Sequence, residues 1–92
     1  MSFTKEEAIK RARQDAARRL GVSEKEIQDE TAEEADFPDM ALGAPARGEM
    51  SGQMITPGWR IRLLGGDQTL EYRANKDQLR LYNYKGANHK VL

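Results

Sequence analysis

From Trp59 to Tyr84 the side chains follow a period of two, interrupted only by two short polar or glycine-rich stops. Trp59, Ile61 and Leu63 alternate with Arg60, Arg62 and Leu64; beyond Gly65, Gly66 and Asp67, Leu70, Tyr72 and Ala74 alternate with Thr69, Glu71 and Arg73. Asn75 to Gln78 then lead into Leu79, Leu81 and Asn83, which alternate with Arg80, Tyr82 and Tyr84. Alternation sends successive side chains to opposite faces of a strand, and a helix would scatter the same apolar residues around its cylinder. The pattern predicts a three-stranded antiparallel meander over residues 58–84, with strands at 58–64, 68–74 and 79–84.

A meander has one apolar face and needs a second layer to cover it. The N-terminal segment supplies that layer. Thr4 and Glu7 have the spacing of a capping box, Ile9, Ala12, Ala16 and Leu20 recur at intervals of three and four, and Gly21 offers a left-handed stop. A helix over residues 5–20 is therefore expected. The fold expected is α+β, one N-terminal helix packed on an antiparallel sheet with a C-terminal three-stranded meander, in one small domain spanning residues 1–92. Ile9, Ala12, Ala16, Leu20, Trp59, Ile61, Leu63, Leu70, Tyr72 and Leu81 are the expected core.

Such a core is thin. Leu, Ile, Val and Phe make up 16 of the 92 residues, a share low enough to suggest disorder, yet 15 acidic and 15 basic side chains cancel and remove the self-repulsion of a disordered chain. Modest stability follows. Charge is unevenly spread along the chain. Residues 23–39 carry eight acidic side chains and one basic, whereas residues 1–22 carry three and six, and residues 40–92 four and eight. The acidic strip is read as balancing its basic neighbours across the fold. On a helical wheel the six basic residues before Gly21 scatter round the circumference, with acidic partners at helical spacing, so they form a solvated face.

The middle of the chain is harder to read. Ser23 and Glu26 repeat the capping-box spacing and suggest a single helical turn, and residues 28–36 suit either a polar strand or a weak helix before Phe37 and Pro38. Four glycines, three prolines and three methionines between Pro38 and Gly58 mark residues 38–57 as a long loop. Residues 86–92 are expected to be a loose tail.

Catalytic chemistry finds little to stand on. With no cysteine, thiol catalysis, disulfides and cysteine-ligated zinc drop out. The one histidine, His89, has no second imidazole to share a metal, and Ser2, Ser23 and Ser51 have no base near in sequence. Gly43 and Gly48 have the spacing of a phosphate-binding loop, but Glu49 and Met50 stand where it needs lysine and a hydroxyl. The acidic strip lacks the alternation and central glycine of an EF-hand loop. No enzyme activity, metal or cofactor is expected.

Two binding surfaces remain. Met40, Met50 and Met54 place three flexible, polarizable side chains in one loop, which suits a re-packing contact with another protein, the loop ends being anchored by Phe37 and Ile55. The alternative is a single-stranded nucleic-acid face built from Arg60, Arg62, Arg73 and Arg80 with Tyr82 and Tyr84, all assigned to the outward side of the meander. The first reading is preferred: a protein-interaction or inhibitory module, a monomer, partnered by another protein. No apolar run reaches the length of a membrane helix, and the chain as written carries no leader, so a cytoplasmic location is expected, or a periplasmic or lipid-anchored one if a leader was removed.

From about Ala12 to Tyr84 the sequence resembles a group of small, largely uncharacterised bacterial domains, often found in exported or lipid-anchored proteins. The pieces are Leu20-Gly21-Val22, Phe37-Pro38-Asp39, Leu42-Gly43, Pro57-Gly58-Trp59 with Ile61 and Leu63, and Leu70-Glu71-Tyr72-Arg73. Phe37 stands where that group usually has tryptophan, and no cysteine follows Leu42-Gly43. The group implies no established activity. In architecture the chain is also similar to the PepSY or cystatin type, whose members serve as inhibitory or interaction modules.

Overall fold

Thr4 begins the first element as expected: its hydroxyl accepts the Glu7 N–H while the Glu7 carboxylate accepts the Thr4 N–H, closing a capping box. Helix α1 runs Lys5–Leu20 and ends on Gly21, whose φ of 69° lies in the left-handed region. The computed structural model describes residues 2–92. A single 3-10 turn, Glu24–Glu26, leads into five strands: β1 Ile27–Phe37, β2 Thr56–Gly65, β3 Gln68–Ala74, β4 Leu79–Tyr84 and β5 Ala87–Lys90. They form one antiparallel sheet in the order β1-β2-β3-β4-β5, so each strand neighbours the next in sequence. Among the described residues no helix is long and apolar enough to cross a membrane.

The fold is α+β, and the expected three-stranded meander is corrected to a five-stranded one. β1 resolves the ambiguity of residues 28–36 in favour of a strand. Its Glu and Ala residues favour helix locally, but antiparallel pairing with β2 from Ile27↔Gly65 to Phe37↔Thr56 outweighs that preference. The expected loose tail is likewise a strand. Lys85 and Gly86, with φ of 53° and 82°, turn the chain tightly from β4 into β5. Beyond β5, the Val91 and Leu92 N–H groups both donate to the Leu79 carbonyl.

One sheet face packs against α1. Ala8, Ala12 and Ala16 recur every four residues on the side of the helix that meets the sheet, and the large side chains come from the strands: Ile61, Leu63, Leu70, Tyr72, Leu79 and Leu81. Alanine lets helix and sheet approach closely. Ile9, Leu20 and Trp59, expected inside the core, pack at its margin and are only partly buried. Ile9 follows Ala8 by one residue and so points about 100° away from the buried stripe. Ile27, from the strand that the periodicity missed, completes the cluster.

The other face is covered by the loop between β1 and β2. Asp39 starts this cover by accepting the Ala41 and Gly43 N–H groups, and Leu42 and Gly43 follow with φ of 60° and 67°. Phe37, Ala41, Leu42 and Ala44 are buried beneath it, outside the main cluster, as a second small core. Polar side chains of the sheet pin the segment down. Gln78 donates to the Met40 carbonyl, Arg73 to those of Leu42 and Gly43, Arg80 to that of Ala44 and Asn88 to that of Pro45.

Candidate functional site

The long loop leaves the sheet at one end and returns to it there, and this end is open. The close of β1, the start of β2, the loop residues around Met54 and the turn from Asn75 to Gln78 enclose a groove of about 840 Å3. Its backbone is held in place while its side chains are not covered. The Met40 N–H donates to the Gly52 carbonyl at 2.9 Å, the Met40 carbonyl accepts from Gln78 Nε2 at 2.7 Å, and the Thr56 hydroxyl donates to the Met54 carbonyl at 2.8 Å. Yet Met40, Met54 and Ile55 are 50%, 62% and 70% exposed, and Pro57 beside them is exposed as well. Three large apolar side chains are thus gathered in one concavity and left in water.

Trp59 lines the same groove from β2, partly buried against the margin of the core. Glu34, Asp36, Asp77 and Lys76 also line it, so the charge around it is net negative. Glu34 and Asp36 take part in no ion pair among the described residues.

Of the three methionines singled out in the sequence, Met40 and Met54 meet in this groove. Met50 does not; it stands 96% exposed, away from the groove. Ile55, expected to anchor the loop, is corrected to an exposed groove residue, whereas Phe37 at the other end is buried. Ile55 lies outside because its chain segment has not yet joined β2, which begins at Thr56. Trp59, Glu34 and Asp36 as groove residues were missed. Their placement depends on the pairing Glu34↔Trp59, which no sequence period announces.

The arginine and tyrosine face is largely committed to the protein itself. Glu71 lies 3.5 Å from Arg60, 3.3 Å from Arg62 and 2.9 Å from Arg73, and Arg60 also faces Glu33. The Arg73 guanidinium stacks 3.7 Å from the Tyr82 ring centroid. Arg80, expected outward and solvated, is buried. It holds Glu49 through both of its terminal nitrogens and lowers that carboxyl to about 2, helped by the Ala46 N–H. Tyr84, assigned to the same face, lies on the helix side. A shift of register between Leu81 and Tyr84, with Asn83 at a φ of 49°, turns it toward Arg19 and the margin of the main core.

Among the described residues no group of three or more His, Cys, Asp or Glu is placed to hold a metal ion. His89 sits edge-on to the Tyr84 ring, with centroids 6.1 Å apart.

The model of a family described as a domain of unknown function, DUF8738, matches residues 9–82, well over half of the chain. The chain belongs to the DUF8738 family. The matched span runs from within α1 to within β4 and takes in every residue that lines the groove, while β5 lies beyond it. Neither the curated proteins nor the solved structures yield a match to this DUF8738 member.

Proposed function

We propose that this DUF8738 domain is a non-catalytic protein-interaction or inhibitory module, a monomer on its own, which receives an apolar side chain of a partner protein in the groove. The observation that carries the reading is the exposure of Met40, Met54 and Ile55 in one concavity beside Trp59. Two flexible thioethers can re-shape around an incoming side chain, and burying them recovers hydrophobic free energy that the free protein forgoes. Nucleic-acid binding through Arg60, Arg62, Arg73, Arg80, Tyr82 and Tyr84 draws less support, because Glu71, Glu49 and the loop already occupy most of that face.

Trp59 is the chain's only tryptophan, so its emission reports on the groove directly. A phage-displayed random peptide library is panned on the native chain and, in parallel, on Ile55→Asp. Peptides enriched on the native chain alone, sharing an apolar side chain and shifting Trp59 emission, are expected. Enrichment of the same peptides on both proteins, or none on either, overturns the groove as the binding site.

A further inference from the structure

β1 forms one edge of the sheet. It pairs with β2 along its length, and among the described residues no other backbone segment hydrogen-bonds to residues 28–37. An edge strand turns alternate N–H and C=O groups away from its neighbour, where another chain can pair with them. β1 has 11 residues, while the opposite edge, β5, has only four. The long edge is therefore the available template.

Its side chains say what kind of chain fits. β1 contains Asp29, Glu30, Glu33, Glu34 and Asp36 and no basic residue. Asp29 pairs with Arg13 and Glu33 faces Arg60, whereas Glu30 is held only by the Thr69 hydroxyl, and Glu34 and Asp36, at the end that lines the groove, take part in no ion pair among the described residues. Two such edges repel each other, so pairing with a second copy is disfavoured and a basic strand is favoured.

We infer that the C-terminal half of β1 takes up an extended segment of another protein by strand addition, the segment alternating lysine or arginine with apolar residues. Its basic side chains lie opposite Glu34 and Asp36, and its end places an apolar side chain against Ile55 and Trp59. The inference rests on the interaction reading above and adds the partner's conformation and charge. Backbone pairing supplies affinity, and the carboxylates with the groove supply selection.

The probe is a short synthetic peptide alternating lysine with valine and closed by phenylalanine. Its controls are the same peptide with glutamate for lysine and one N-methylated at alternate residues, which cannot form the backbone ladder. Binding is followed by amide exchange of residues 31–37 and by Trp59 emission. The lysine peptide slows exchange along β1, and N-methylation, replacement of lysine by glutamate, or Glu34→Lys with Asp36→Lys each weakens binding about tenfold or more. Binding that persists in Ile55→Asp but fails on N-methylation supports the edge and counts against the groove. Binding that survives N-methylation and vanishes in Ile55→Asp overturns strand addition and leaves the groove reading intact. No change in β1 exchange at about 1 mM peptide overturns the proposal, and the acidic edge then serves only to prevent self-pairing.

Discussion

The Tyr72 hydroxyl donates a 2.8 Å hydrogen bond to Asp15 Oδ2, joining β3 to α1 across 57 positions of sequence inside the core. Asp15 is only 4% exposed, yet it is not an orphaned charge, because Arg18 and Arg19 donate to it from the next turn. Burial works against its ionisation, and the bonds from Arg19, Tyr72 and Arg18 outweigh that and hold its carboxyl below the usual range. The same arrangement makes the Tyr72 proton hard to lose: burial first, then the Asp15 bond and charge, push the phenol well above its ordinary 10.0.

Tyr72→Phe keeps the ring and deletes the bond, and it is expected to cost about 1–3 kcal/mol. The folded value of Tyr72 lies above its unfolded one, so its contribution is whole below pH 10.0 and declines as pH rises beyond it. Urea unfolding on both sides of that pH is the check. The native chain should lose stability through this alkaline range more steeply than Tyr72→Phe, and equal slopes would remove Tyr72 as the cause.

The loop has an acid-sensitive clamp. Glu49 is bound by Arg80 and by the Ala46 N–H, which lower its carboxyl from 4.5 to about 2. A carboxylate with a depressed folded value stabilises above its unfolded value and loses that effect as pH falls through the folded one. The clamp should be intact above pH 4.5 and released toward pH 2. Protection of the amides between Ala44 and Glu49, taken as exchange relative to the unstructured rate at the same pH, should fall across that window in the native chain. Glu49→Gln should exchange fast in the same segment at every pH, and an unchanged rate in that variant would show that other bonds hold the loop.

Leu63 is fully buried between α1 and the neighbouring strands. Truncation to Ala removes its transfer free energy and opens a void, a loss of about 2–5 kcal/mol. In a domain whose large apolar side chains are few, that is a large share of the whole stability. A thermal melt by circular dichroism should find Leu63→Ala largely unfolded at room temperature or melting far below the native chain. Ile55→Asp, on an exposed side chain, should melt within a few degrees of native, by about 0.5 kcal/mol or less.

The difference between those two isoleucine and leucine positions shows which parts of this structure are legible in one sequence. Leu63 sits in a run whose period names its face, and α1, β2, β3 and β4 stand close to where periodicity and capping put them. β1 is ambiguous in sequence because seven of its 11 residues are exposed: an edge strand that another layer covers only in part needs no apolar alternation. β5 is not legible because Lys85 and Gly86 make a less familiar turn than asparagine with glycine. The meander's outward arginines are legible in the sequence, but the burial of Arg80 among them is not. Whether an arginine on a sheet meets water or a loop depends on where an irregular segment folds, and Arg80 is buried only because residues 41–49 lie over it. For the same reason three methionines could be named as a group while only a tertiary structure separates Met50 from Met40 and Met54.

Gly58 links the groove to the sheet beneath it. A Cβ built there would lie 2.3 Å from the Ala74 carbonyl oxygen of β3 and 3.2 Å from the Phe37 ring of β1. The first contact is with backbone and cannot be relieved by a rotamer change, so Gly58→Ala must push β2 away from β3 or shift the Ala74 peptide. The second requires the Phe37 ring to give by a few tenths of an ångström in its place under the loop, where Arg60 and Arg73 lie 5.6 and 5.3 Å from its ring centroid. An expected cost of about 1–3 kcal/mol follows from overpacking alone. The distinguishing readout is local. Trp59 is the next residue and lines the groove, so its emission should shift in the folded variant even without a ligand, and exchange should quicken at Ala35 to Phe37. Native emission and native β1 exchange in Gly58→Ala would mean that the strands accommodate the methyl group and that the close approach at Gly58 does not shape the groove.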